Sequence, residues 1–248
     1  MKIATGLLLS ALCAFAAGGA MAAEIRVLSA GAVEPGLRAA AAAFQKQSGH
    51  EVKLTFNTAP EIRKRIAGGE AFDVVIAPPA ALEEFAGKVT ADRANLGRVG
   101  LGVAVRPGAA VPDISSADAL KRSVLAAESI VFNRASSGIY FENLLKKMEI
   151  YGQVQAKTTR YADGAAVMEH VLKGKGREIG FGPVTEILQH REKGLKLVGP
   201  LPPEVQNYTS YSAAPMTAAA NGELARVLVR YLGNPESKAL FAGAGIDQ

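Results

Sequence analysis

The feature that most constrains this chain is a repeated exchange of short apolar strands and amphipathic helices across turns of small residues. Glu24-Ile25-Arg26-Val27-Leu28 ends in Ser29-Ala30-Gly31-Ala32 and continues as a helical stretch through Leu37, Phe44 and Lys46. A second round follows, with a strand over residues 51–56, the turn Asn57-Thr58-Ala59-Pro60, and a helix over 61–67 stopped by Gly68-Gly69. In each round an extended apolar run gives way to helical spacing. Ala71-Phe72-Asp73-Val74-Val75-Ile76 then carries an almost unbroken apolar run, the mark of a strand covered on both faces of a parallel sheet. Such alternation predicts an α/β fold with mostly parallel sheets flanked by helices, and ligands bound at the carboxyl ends of the strands.

The alternation is interrupted once and then resumes. Arg98-Val99-Gly100-Leu101-Gly102-Val103-Ala104-Val105 reads as a strand, and the breaker Arg106-Pro107-Gly108 after it marks a first crossing between two lobes. A second alternating unit is inserted there. It comprises a helix over 116–126, a strand over 129–132, a helix from Ser136-Ser137-Gly138 through Leu145, a helix over 165–172, a strand over 178–181 and a helix over 185–191. The return crossing is expected near residues 208–213, because the last two helices, about 223–231 and 235–242, complete the first lobe. The expected division is residues 23–104 with 213–248 in lobe 1 and residues 105–212 in lobe 2. The chain has no internal repeat, low-complexity linker or heptad seam.

The amino-terminal end reads as a cleavable secretory leader over residues 1–22. Lys2 precedes an apolar run from Ile3 that is too short to span a membrane, Gly18-Gly19 breaks it, and Ala20-Met21-Ala22 supplies the small residues a signal peptidase needs. The single cysteine, Cys13, lies inside this run behind Leu12, where a lipid-attachment signal would place a small residue. Cleavage after Ala22 leaves a chain without thiols, excluding disulfides and cysteine-held metals. It also lowers the formal charge from +5 to +4, since Lys2 is the only charged residue removed. The basic residues are scattered among acids and lack interleaved aromatics, so nucleic acid is not expected as a partner.

Catalytic signals are sparse. There is no His-Glu-x-x-His, Gly-x-Ser-x-Gly, dinucleotide fingerprint or phosphate loop, and Lys173-Gly174-Lys175-Gly176 lacks the preceding strand that a phosphate cradle needs. His50, His170 and His190 each fall at the end or exposed side of an expected element. No cofactor or metal is expected. What the chain offers is three strand-to-helix junctions, Ala30-Gly31-Ala32, Thr58-Ala59 and Ser136-Ser137-Gly138, two in the first lobe and one in the second. Each presents free backbone N–H groups at the positive end of a helix, with side chains small enough for an anion to approach. Arg134, just ahead of Ser136, is a candidate bidentate partner for a carboxylate. Arg63 reads as a solvated helix residue.

At these residues the chain resembles the periplasmic molybdate-binding proteins of ABC importers, a branch of the type 2 periplasmic-binding-protein fold. The likeness runs through Ser29-Ala30-Gly31-Ala32, Phe56-Asn57-Thr58-Ala59, Ala71-Phe72-Asp73-Val74-Val75-Ile76, Ser137-Gly138-Ile139-Tyr140, Ile179-Gly180-Phe181-Gly182 and Asn234-Pro235-Glu236. It implies an oxyanion held between two lobes by N–H groups and hydroxyls. Carried over by position, the first-lobe serines of that family fall on Ala32 and Ala59, its second-lobe donors on Ser137 and near Gly164, and its tyrosine on Phe181. Three hydroxyls are thus replaced by Ala, Ala and Phe. At roughly 1.5–3 kcal/mol per hydrogen bond lost to a charged ligand, molybdate affinity should fall by several powers of ten unless Thr58, Ser136, Arg134 or Tyr161 substitutes.

The resemblance implies a monomeric periplasmic solute-binding protein without enzymatic activity, carrying a molybdate-like oxyanion or small organic carboxylate to an inner-membrane ABC permease. The alternative is a secreted enzyme or sensor on the same scaffold, whose candidate titratable groups are Glu34, Asp163 and Arg134.

Overall fold

The computed structural model describes residues 22–248, so the expected leader lies outside it except for Ala22. β1 (Glu24–Ala30) runs parallel to β2 (Glu51–Asn57) on one side and to β3 (Val74–Ala77) on the other. A 3-10 turn at Gly31–Val33 and α1 (Glu34–Ser48) connect β1 to β2. α2 (Ala59–Ala67) connects β2 to β3, and α3 (Pro79–Glu84) follows β3. The long strand β4 (Ala94–Val105) pairs antiparallel with three strands, β9 (Tyr208–Pro215), β7 (Glu178–Pro183) and β8 (Lys196–Pro200).

The inserted unit is α4 (Ala117–Ala126), β5 (Ser129–Asn133), α5 (Ser136–Lys147), α6 (Tyr151–Val154), β6 (Thr158–Tyr161), α7 (Gly164–Lys173), β7 and α8 (Val184–Gln189). β5 is parallel to both β6 and β7. The chain closes with α9 (Gly222–Leu232) and α10 (Pro235–Gly243). The described strands join in the order β2-β1-β3-β9-β4-β7-β5-β6, with β8 on the side of β4. Strand-helix alternation is therefore confined to the two outer regions, and the antiparallel strands β4 and β9 link them.

Two separate cores follow from this order. One gathers Val27, Leu37, Ile62, Val75, Leu96, Leu228 and Phe241. The other gathers Leu101, Val103, Phe132, Phe141 and Phe181, with Val131, Val167, Met168 and Ile187 forming a smaller cluster beside it. β4 passes from the first to the second between Val99 and Leu101. β4 thus changes core at Gly100, ahead of Arg106-Pro107-Gly108; its ladder continues unbroken through the changeover and Pro107 ends the strand only afterwards. Gly100 is tight against the ring of Tyr208, where an added Cβ would stand 3.1 Å from Cε1.

On the return, Tyr208 of β9 stands opposite Gly100. Leu201 belongs to the second core and Tyr211 to the first. Between them the Gln206 side chain accepts a hydrogen bond from Leu101 N–H and donates one to the Leu101 carbonyl, tying the returning chain to β4. The two terminal helices lie on the first core. α10 approaches α1 so closely that a Cβ on Gly36 would stand 2.4 Å from Cδ1 of Phe241, which is why the first turn of α1 carries glycine.

Candidate functional site

A cleft of about 390 Å³ separates the two cores, and its walls are built from the carboxyl ends of six strands. From the first lobe come Gly31 and Ala32 after β1, Asn57, Thr58 and Ala59 after β2, and Pro78 after β3. From the second come Asn133 through Ser137 after β5, omitting Arg134, then Ala162, Asp163 and Gly164 after β6, and Pro183 and Glu186 after β7. This placement follows from parallel strands, each of which hands its chain to a helix at the same edge of the sheet.

Three full-length helices begin at the cleft. α2 starts at Ala59 with no side-chain cap, and Pro60 has no N–H to offer. α5 starts at Ser136, also without a side-chain cap from its N-cap residue Ala135. Its entry is held instead by buried Asn133, whose Oδ1 accepts from Ala135 N–H at 3.0 Å and Gly138 N–H at 3.1 Å. At α7, Asp163 accepts from Ala166 N–H at 2.9 Å, so Gly164 and Ala165 begin the helix ahead of the capped donor. The first N–H groups of a helix have no intrahelical acceptor, and here they border a shared space.

Among the described residues lining the cleft there is no Lys or Arg, whereas Glu34, Glu61, Asp163 and Glu186 are present. Glu34 is paired with Arg38 at 2.6 Å on its own helix, and Glu61 has Lys64 within 3.8 Å. Glu186 has neither. Its Oε2 is withdrawn from solvent without a hydrogen-bond partner. Burial, reinforced by the charges of Asp163 and Glu34, pushes its carboxyl up to about 8, so it is protonated at neutral pH. Tyr211 of β9 also faces the cleft, and burial raises its phenol well above the usual range. His190, at the end of α8, lines the cleft as well. It is buried, with Nδ1 3.0 Å from the Glu186 carbonyl oxygen, and is not the solvated histidine expected.

The expected site residues divide. Ala32, Thr58, Ala59, Ser136, Ser137 and Gly164 come together on the lining; Arg134, Tyr161 and Phe181 do not. Arg134 is exposed, because its backbone N–H is tied to the Tyr161 carbonyl at the edge of β6 and the side chain leaves on the solvent side. Tyr161 spends its hydroxyl on His170 Nδ1 at 2.8 Å. Phe181 is buried in the second core with its ring stacked on Phe141, the centroids 3.8 Å apart. Ser137 also has its hydroxyl engaged, with the Asn133 amide, so in this arrangement it has only its backbone to offer.

Asn133, Glu186, His190 and Tyr211 were not singled out from sequence as lining residues. The Gly182-Pro183 step that ends β7 is a further strand-to-helix junction of the same kind and is the signal that places Glu186, one turn further on, near the cleft. Nothing comparable marks Tyr211 within its strand. A hydrogen bond ties the lobes beside this site: the buried hydroxyl of Thr185 donates to the Ala32 carbonyl at 2.6 Å. Among the described residues no cluster of His, Cys, Asp and Glu is arranged to hold a metal ion, and no helix is long and apolar enough to cross a membrane.

Comparison with known proteins places this geometry in a family. A family described as bacterial extracellular solute-binding protein matches residues 25–247. An aconitate isomerase of Pseudomonas sp. is 31% identical over 233 residues, spanning 90% of this chain and 87% of that protein. Among solved structures, the periplasmic molybdate-binding protein of Azotobacter vinelandii superposes with a TM-score of 0.77 at 17% identity, over 90% of this chain and 99% of that one. The sulfate-binding protein of Mycobacterium tuberculosis H37Rv gives 0.72 at 16% identity, over 90% and 86%. The fold is that of the type 2 periplasmic binding proteins.

Proposed function

This chain belongs to the bacterial extracellular solute-binding protein family, and on that premise we propose that it captures a small anion between its lobes in the periplasm and delivers it to an ABC permease. The observation that carries this reading is the convergence of the α2, α5 and α7 N-termini on one cleft with no lining cation. A desolvated anion there is met by oriented N–H groups and helix dipoles in place of water. Ala32 and Ala59 keep their N–H groups although they lack hydroxyls, and the hydroxyls of Thr58 and Ser136 lie on the same lining.

The solute class is a tetrahedral oxyanion or a small organic carboxylate, and closure of the lobes around it forms the state a permease recognises. Isothermal titration of residues 23–248 with molybdate, tungstate, sulfate and a panel of organic acids tests this. One-to-one binding of at least one anion is expected, and heat-silent titrations throughout would remove the reading.

A second reading, catalysis in the same cleft, is favoured by one observation. The 31% identity to an aconitate isomerase extends over nearly the whole chain, whereas the superposed molybdate and sulfate proteins share 17% and 16%. Aconitate is itself a small polycarboxylate anion, so the two readings share a ligand chemistry and differ in turnover. Incubation with cis- or trans-aconitate, followed by the vinyl proton resonance, separates them. Conversion establishes the second reading, and binding without conversion leaves the first.

A further inference from the structure

The cleft's least explained group is the Glu186 carboxyl. It stands between the lobes: a Cβ added to Gly164 at the start of α7 would lie 1.6 Å from Oε2, and one added to Gly31 after β1 would lie 3.4 Å from Oε1. Gly164 therefore makes the room this carboxyl occupies, and Gly31 borders it from the opposite wall. Yet Oε2 is buried and accepts no hydrogen bond, and no Lys or Arg is among the lining residues described.

The acidic groups facing it argue against a further negative charge. Asp163 ahead of α7 and Glu34 at the start of α1 are both acidic and both act on it through space. Each has its own partner, Ala166 N–H for Asp163 and Arg38 for Glu34. Tyr211 on β9 is a phenol whose own ionisation is opposed by Glu186. His190 on the same helix directs Nδ1 at the Glu186 backbone carbonyl. A carboxylate with one oxygen withdrawn from water and unpaired in such company is strongly disfavoured, whereas a neutral carboxyl is tolerated.

We propose that Glu186 contacts the solute as a neutral acid, donating its O–H to an oxygen of the bound anion, so that capture is linked to a proton. The inference rests on the anion reading of the cleft. It assigns the ligand a hydrogen-bond-accepting oxygen, carboxylate or oxyanion, at the junction of Gly31 and Gly164. Ionised Glu186 repels that oxygen. Binding from solutions in which Glu186 has lost its proton must therefore take one up.

Titrations with trans-aconitate and with molybdate, neither of which changes charge between pH 7 and 9.5, test the link. For whichever binds, the wild-type Kd at pH 9.5 should be about thirtyfold that at pH 7, given a carboxyl titrating at about 8. Heats measured in buffers of different ionisation enthalpy should show proton uptake at the alkaline end. Glu186→Gln, which keeps a donor and the shape, should bind within a few-fold of wild type at pH 7 and hold that affinity to pH 9.5. A flat wild-type profile, or the same slope in Glu186→Gln, overturns the proposal while leaving capture intact. If neither binds, the same pH series is run on whichever tungstate, sulfate or organic acid does, and if no anion of the panel binds at pH 7 the anion reading fails and takes the proposal with it. Carbon-13 resonances of the ligand-free protein give an independent check, since a Glu186 carboxyl already ionised at pH 6 contradicts the inference whatever binds.

Discussion

At the scale of the residue, Glu186 sets the pH behaviour of the fold as well as of the site. Its folded pKa, about 8, lies above the ordinary glutamate value of 4.5, so between those limits the folded state binds a proton that the unfolded state releases. The sign is fixed by that order. Stability from this group is fully present below the window and is lost as pH rises through it. Glu186→Gln removes the dependence, so its melting temperature should gain on wild type between pH 5 and 8.5, by at least about 3 °C for a chain of this size. Parallel curves would show that the carboxyl is not neutral in the fold. Arg134 behaves oppositely. It is exposed and off the lining, so Arg134→Ala should leave anion affinity within about twofold, as a solvent-screened surface charge would; a larger loss measured by titration would return it to the site. The sequence offered Arg134 because it precedes a helix start, and concealed Glu186 because one glutamate in a short amphipathic helix looks solvated. What distinguishes the two is which side of the sheet edge each faces, and that is fixed by pairing partners far away in the chain.

At the scale of the element, the junctions were the most legible part. Small residues between a strand and a helix have a local reason to be there, and Gly31, Ala32, Thr58, Ala59, Ser136, Ser137 and Gly164 all reach the cleft. Gly138 shows how tight that local reason is. A Cβ there would lie 1.8 Å from the backbone oxygen of Asn133, which cannot yield without unravelling the entry to α5. Gly138→Ala should therefore destabilise the protein by about 1–3 kcal/mol or more, read from chemical denaturation, and should disturb the Asn133 bonds to Ala135 and Gly138. An unchanged midpoint would mean the turn is looser than described. Phe181 and Tyr161 mark the limit of such reasoning. Both follow the strand pattern correctly, but strand alternation cannot say which face meets a cleft and which meets a helix. Phe181 meets Phe141 of α5, and Tyr161 meets His170 of α7.

At the scale of the whole molecule, the interrupted alternation and a return near residues 208–213 point to two lobes joined by two strands, while the outward strand carries no local mark of where it changes core. β4 changes core at Gly100, ahead of the nearest proline, because backbone pairing between β4 and β9 carries the chain across without a break, and Tyr208 returns opposite it. The cleft sits beside the two paired strands that cross between the cores, with the Thr185 hydroxyl bonded to Ala32 across the lobes. The central claim is that an anion is held there by main-chain donors from both lobes. It is tested most directly by following the backbone amide resonances of isotopically labelled protein as the tightest-binding anion of the panel is added. The N–H signals of Ala59, Ser136, Ser137 and Gly164 should move downfield together and saturate at one equivalent. Saturable binding that shifts only one lobe, or that leaves these four amides in place, would contradict it.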